Sequence, residues 1–172
     1  RLLGGIVARA SAAADEDAMP EFFDDEQFAL LERLVDVIIP ETDTPGALGA
    51  GVHHFIDMML SEWAAPARQA RFTAGLQDLR RRLQAPQGAF VELSTEQQLE
   101  NLRRVDEAAF APGAGDDFFR EFKRLVLFGY YSSEAGATVE LQYEPLTPDY
   151  KACVPIDDIG RAWFWLGFCL DL

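Results

Sequence analysis

Apolar positions recur at helical spacing in five stretches of the chain. Phe28, Leu31, Leu34, Val35 and Ile38 fall on one face of a helix from about Asp25 to Ile38. Val52, Phe55, Ile56, Met59, Leu60 and Trp63 form a second, wider stripe. Phe72, Leu76, Leu79 and Leu83 form a third, behind Pro66, which suits a first-turn position; Arg80, Arg81 and Arg82 mark its outer face. Ser94 to Gln97 reads as a capping box that opens a fourth helix carrying Leu99, Leu102 and Val105. The fifth, from about Asp116 to Ser133, is the most apolar of the long ones, with Phe118, Phe119, Phe122, Leu125, Val126, Phe128, Tyr130 and Tyr131. Breaks fall at Pro86-Gln87-Gly88 and at Pro112 to Gly115. The pattern predicts a mainly α fold: a single compact bundle of five to six helices, without an extended sheet, over residues 21–172.

The joint between the first two helices organises the rest. Pro40 ends the first helix, because the residue before a proline is pushed out of the α region. Glu41, Thr42, Asp43 and Thr44 form a polar link, and Thr44-Pro45-Gly46 reads as a turn in which proline fixes φ and glycine supplies a positive φ. After Gly136 the character changes. Thr138 to Tyr143 suits a short extended piece or a continued helix, and Pro145, Pro148 and Pro155 make residues 137–155 an irregular tail. Residues 156–172 can form a last helix. Ala162 to Leu170 in it is apolar all round, so it is either buried or covered by another chain. Ahead of the bundle, Asp15 to Glu26 carries seven acids and no base, a solvated lead-in to a helix N-terminus. Residues 1–20 read as leader-like, on the small residues Ala8, Ala10 and Ala12 to Ala14, or as an ordinary amphipathic helix or partner-docking segment, on the apolar run Leu2 to Val7.

Charge narrows the partners. A net charge of −14 argues against nucleic acid or an anionic membrane, both of which need a basic surface. No apolar run approaches the ~20 residues of a spanning helix. Cys153 and Cys169 leave open one bridge, two thiols or a bond to another chain.

Candidate chemistry is sparse. Gly46, Gly49 and Gly51 follow a helix, whereas a dinucleotide loop follows a strand, and Glu41 and Asp43 would repel phosphate. His53 and Asp57 stand at i, i+4 and could give two metal ligands, but no Cys/His cluster completes a site; the bland reading puts His53 and His54 at the edge of the second stripe. Ser132, Ser133 and Cys153 are nucleophiles by type without a base tied to them, and Ser132-Ser133-Glu134 suits a helix C-terminal cap. No flavin, nicotinamide, haem or metal is expected in this chain.

Three segments, in order, resemble the gluconate 2-dehydrogenase subunit 3 family. They are Val37 to Ala47 with Gly51-Val52 and Phe55-Ile56-Asp57; Phe128 to Glu134 with Gly136-Ala137; and Glu140 to Tyr143 with Tyr150 to Cys153 and Pro155. They span about Glu21 to Trp163, and Phe164 to Leu172 departs from the pattern. The resemblance implies a non-catalytic small subunit. Its partner would be a large FAD-dependent dehydrogenase of the glucose-methanol-choline type acting on sugars or sugar acids, often with a cytochrome c subunit. Such small subunits commonly bear a twin-arginine leader and escort the folded flavoprotein to the periplasm. On that reading, Pro40, Glu41, Thr42, Asp43, Tyr130, Tyr131, Glu134, Tyr143, Tyr150, Trp163 and Trp165 are expected on one partner-binding surface, and Cys153 could pair with Cys169 or with a partner cysteine. Against this, the tyrosines could simply close the bundle with their hydroxyls on loop carbonyls. A free-standing helical interaction or regulatory module, and a stand-alone helical enzyme using Tyr130, Tyr131, Glu134 or His53, are the competing readings.

Overall fold

Each predicted stripe buries itself as a helix, and the boundaries follow local chemistry. The structure, a computed structural model, describes residues 19–84, 88–115, 117–143, 153 and 155–163. Helix α1 spans Asp25–Ile38, α2 Val52–Met58, α3 Pro66–Leu83, α4 Thr95–Ala109, α5 Phe118–Ser132 and α6 Ile156–Ile159. No strand occurs among the described residues; the nearest thing to one is an isolated parallel bridge between Gln142 and Trp163. The first turn of α1 is fixed by a capping box, in which Asp24 Oδ1 accepts from the Gln27 amide at 2.8 Å and Gln27 Oε1 from the Asp24 amide at 3.4 Å. Ser94 and Gln97 repeat the device on α4, as their spacing predicts. Pro66 takes the first turn of α3, where its missing N–H costs nothing.

Helix α5 is the axis of the bundle. It packs against α2, α3 and α4, and more lightly against α1. Phe119, Phe122, Val126 and Tyr130 are its deepest residues, and Phe118, Phe72 and Phe122 form an aromatic group between α3 and α5 with ring centroids 5.0–6.3 Å apart. Ion pairs close the same seam from outside, Arg68 and Arg71 to Glu121 and Arg82 to Asp117.

Three stripe assignments change. Trp63 stands half exposed rather than in the core. The end of α2 opens into a π-helical turn, Met59–Trp63, closed by Ala64 N–H on the Met59 carbonyl at 3.1 Å, and the wider turn carries position 63 off the buried side. On α4 it is Gln98, fully buried, and not Leu99, 38% exposed, that joins Leu102, Val105 and Ala109 on the inner face. Positions 98, 102, 105 and 109 share the i, i+4, i+7 spacing, and Leu99 lies about 100° round from Gln98. The final helix stops at Ile159, where Gly160 takes a φ of 70°, so it does not run on into Ala162 and Trp163; Phe164 to Leu172 lie outside the described residues.

A buried amide at position 98 is tolerated because its polar atoms are matched. Its Nε2 donates to the Phe90 carbonyl at 2.8 Å, and its Oε1 accepts from Arg33 Nε at 2.6 Å. The one side chain thus ties α4 to α1 and to the short 3₁₀ turn Phe90–Glu92. Gln98→Ala should therefore lower unfolding stability by about 2–3 kcal/mol, since it leaves a buried carbonyl unpaired and opens a cavity. Urea denaturation at constant m-value measures it.

Candidate docking surface

The joint and the turn after α5 come together at one end of the bundle. Tyr130, 2% exposed, donates its hydroxyl to the Pro45 carbonyl at 2.8 Å. Thr44 Oγ1 donates to Glu140 Oε2 at 2.8 Å, in the π-helical turn Ala135–Glu140. The joint folds back on α1 through Ala47 N–H on the Ile39 carbonyl at 2.8 Å. Gly46 makes that fold possible by having no side chain. A Cβ there would lie 2.5 Å from the Glu41 nitrogen and 2.8 Å from the Ile39 oxygen. Its φ is not positive, contrary to the turn reading; the positive φ belongs to Gly51, ahead of α2. Gly136 does the same work for the turn, since a Cβ would sit 2.0 Å from the Tyr130 carbonyl oxygen.

Around this end Pro40, Glu41, Thr42, Asp43, Glu134, Tyr143 and Trp163 are exposed, and Tyr131 is partly buried. Burial, the Glu140 carboxylate and Tyr130 together push the Tyr131 phenol above its ordinary range. Tyr130 is a correction. It lies in the core with its hydroxyl on a loop carbonyl, and it shapes the surface from beneath instead of facing a partner. Tyr150, Trp165 and Cys169 fall outside the described residues; Cys153 is exposed. Tyr143 is 53% and Trp163 46% exposed, and the Gln142 amide on the Ala162 carbonyl at 2.9 Å holds their segments side by side. With Val139 and Leu48 they give this end an apolar component beside its acids.

Charge is unevenly divided along the chain. Residues 66–124 hold ten Lys and Arg against nine Asp and Glu; all other positions together hold five against twenty. The whole net negative charge therefore lies outside α3, α4 and the first half of α5.

The hydroxyls considered as nucleophiles are engaged with backbone. Ser132 Oγ donates to the Phe128 carbonyl at 2.6 Å. Ser133 Oγ donates to the Tyr130 carbonyl at 2.6 Å and accepts from the Gly136 amide at 3.1 Å, which makes it the hinge between α5 and the turn. Asp57 is not placed as a ligand. It is buried and accepts three backbone N–H groups, from Glu21 at 2.7 Å, Phe22 at 3.0 Å and Phe23 at 3.1 Å. Nothing in the sequence linked Asp57 to residues 35 positions away, so this anchor was missed. His53 is likewise in the core and not at a stripe edge. It packs on Phe28 and His54 at ring centroid distances of 5.5 and 4.1 Å, and its Nδ1 has no hydrogen-bond partner among the described residues. Burial, reinforced by His54, lowers its pKa to about 4; Glu32 Oε1, 3.9 Å from Nε2, does not offset this.

This is the architecture of a helical domain that offers a shaped surface, with its polar side chains committed to holding that shape. The sequence profile of gluconate 2-dehydrogenase subunit 3 matches residues 25–148, and the chain belongs to that family, the accessory subunits of a dehydrogenase complex. No curated protein and no solved structure gave a match.

Two outcomes test this geometry. Tyr130→Phe should cost about 1 kcal/mol of stability, the net worth of one partly buried hydrogen bond to a carbonyl left without this donor, measurable by denaturant titration. His53 is neutral in the fold and its folded pKa lies below the unfolded 6.5, so its contribution is complete above pH 6.5 and is lost as pH falls through about 4. The loss reaches on the order of 3 kcal/mol below pH 4, and His53→Phe should flatten that part of the stability–pH curve.

Proposed function

We propose that this chain is the non-catalytic small subunit of a periplasmic, FAD-dependent dehydrogenase of the glucose-methanol-choline type that oxidises a sugar or sugar acid. It stabilises the catalytic flavoprotein and accompanies its twin-arginine export; a cytochrome c subunit completes the assembly in its fuller form. Family membership over residues 25–148 is the observation that carries the reading. The site geometry supports it. Ser132, Ser133, Tyr130 and Asp57 spend their polar atoms on backbone groups, which argues against a stand-alone enzyme built on them.

The docking face on this reading is the joint end: Pro40, Glu41, Thr42, Asp43, Tyr131, Glu134, Tyr143 and Trp163. Aromatic residues that expose large area together with a polar tip are the usual anchors of such interfaces. The Thr44–Glu140 and Tyr130–Pro45 bonds hold the face in shape before binding, so little ordering entropy is lost on association.

Isolation of the native complex tests both parts. The chain should co-purify with a larger subunit that carries flavin absorbance, while the small subunit alone carries none. Trp163→Ala and Tyr143→Ala should each weaken association by about 1–2 kcal/mol, a factor of roughly 5–30, with the melting of the variant subunit unchanged. Recovery of the chain with no flavin-bearing partner would reject the assignment. Variants that lose only fold stability would move the docking face elsewhere.

A further inference from the structure

We propose that Asp57 is a positioning residue that fixes Glu21, Phe22 and Phe23 at the pole opposite the joint, so that a chain continued back from Met19 starts away from a docked partner. The layout rests on the accessory-subunit reading; the anchor itself does not.

The argument starts from the three bonds on one carboxylate. Asp57 Oδ2 accepts from the Glu21 amide, and Oδ1 accepts from the amides of Phe22 and Phe23. A buried carboxylate left without donors is costly, and three donors satisfy it fully. These amides belong to no helix, so Asp57 is what orders them. The strap is reinforced on both sides. Ser61 Oγ donates to Glu21 Oε2 at 3.3 Å, and the Phe23 ring is buried 6.0 Å from Phe72 of α3. Capping of α1 by Asp24 follows at once, so the chain goes from anchor to helix with no slack.

Helix α1 then sets the distance. Its 14 residues run from the strap to Ile38, two positions before Pro40. At 1.5 Å per residue that is about 20 Å. The joint, the turn Ala135–Glu140 and the Gln142–Trp163 bridge all lie at the far end, through the Thr44–Glu140 and Tyr130–Pro45 bonds. Helix α2 returns from the joint and presents Asp57 to the strap, so the α1–α2 pair is closed at one end by the joint and at the other by this carboxylate. Whatever precedes Met19 therefore starts from the strap pole.

Two measurements on the full chain decide it. In hydrogen exchange, Asp57→Ala should speed the amides of Glu21, Phe22 and Phe23 at least tenfold while α5 keeps its protection. Asp57→Asn, which retains one acceptor oxygen, should fall between. Unchanged exchange at all three amides overturns the anchor; if Asp57→Ala loses protection throughout, Asp57→Asn decides by the same comparison. For the layout, a folded carrier domain is fused ahead of Arg1, or inserted between Thr42 and Asp43, and binding to the co-purified flavin-bearing subunit is measured. The N-terminal fusion should bind within twofold of the unfused chain. The insertion, with α5 protection intact, should abolish binding. A tenfold loss with the N-terminal fusion, or full binding by the insertion, overturns the layout. If the unfused chain itself binds no flavin-bearing subunit, the accessory reading fails and takes the layout with it, while the exchange result still judges the anchor.

Discussion

The Tyr130 hydroxyl on the Pro45 carbonyl is the contact on which the joint end depends. An irregular loop at a surface has backbone groups that helices would otherwise satisfy, and a loop with so few apolar residues has little else to hold it. Tyr130 supplies a buried ring as an apolar footing and a hydroxyl as the tether. Its position in turn requires α5 to end close by, and Ser133 and Gly136 let the chain double back across the Tyr130 carbonyl. The Thr44–Glu140 bond then needs both the loop and the turn in place. Removal of Tyr130's hydroxyl leaves its ring in the core, so the footing and the tether can be separated by experiment.

The helices were legible because their buried faces are made of large apolar residues at unbroken spacing, and because Asp24, Ser94 and Pro66 mark starts by chemistry that acts within three or four residues. What was not legible depended on contacts distant in sequence. Gln98 reads as polar surface until Phe90 and Arg33 are known to meet it. Asp57 reads as half of a metal pair until the strap is seen above it. Trp63 belongs to the stripe by count, and only the local widening of the helix turns it outward. At the joint, the adjacency of residues 40–46 to the turn after α5 was anticipated from two irregular stretches, and Tyr130 follows the alternative reading, core with its hydroxyl on a loop carbonyl; the sequence left that choice open because a tyrosine serves core and interface equally well.

On the proposed accessory reading, recognition rests on shape and charge. Here both are concentrated. The acids outside residues 66–124, at the strap as well as at the joint, give the domain an uneven field. On the proposed docking, such a field favours a cationic partner surface, and the aromatic residues around Trp163 supply contact area and register. The α3–α4 side, nearly neutral and laced with ion pairs such as Arg81–Asp78 and Lys123–Asp106, offers no comparable attraction.

The strap at Asp57 has a mechanical meaning as well. A pull applied through the N-terminal segment does not reach the first turn of α1 directly. It meets three hydrogen bonds that converge on one carboxylate, backed by a buried Phe23, and the load passes into α2. A helix pulled from its free end unzips one turn at a time; one shielded by such a cleat must yield all three bonds together. The strap therefore couples Glu21, Phe22 and Phe23 to α2 as well as to the start of α1.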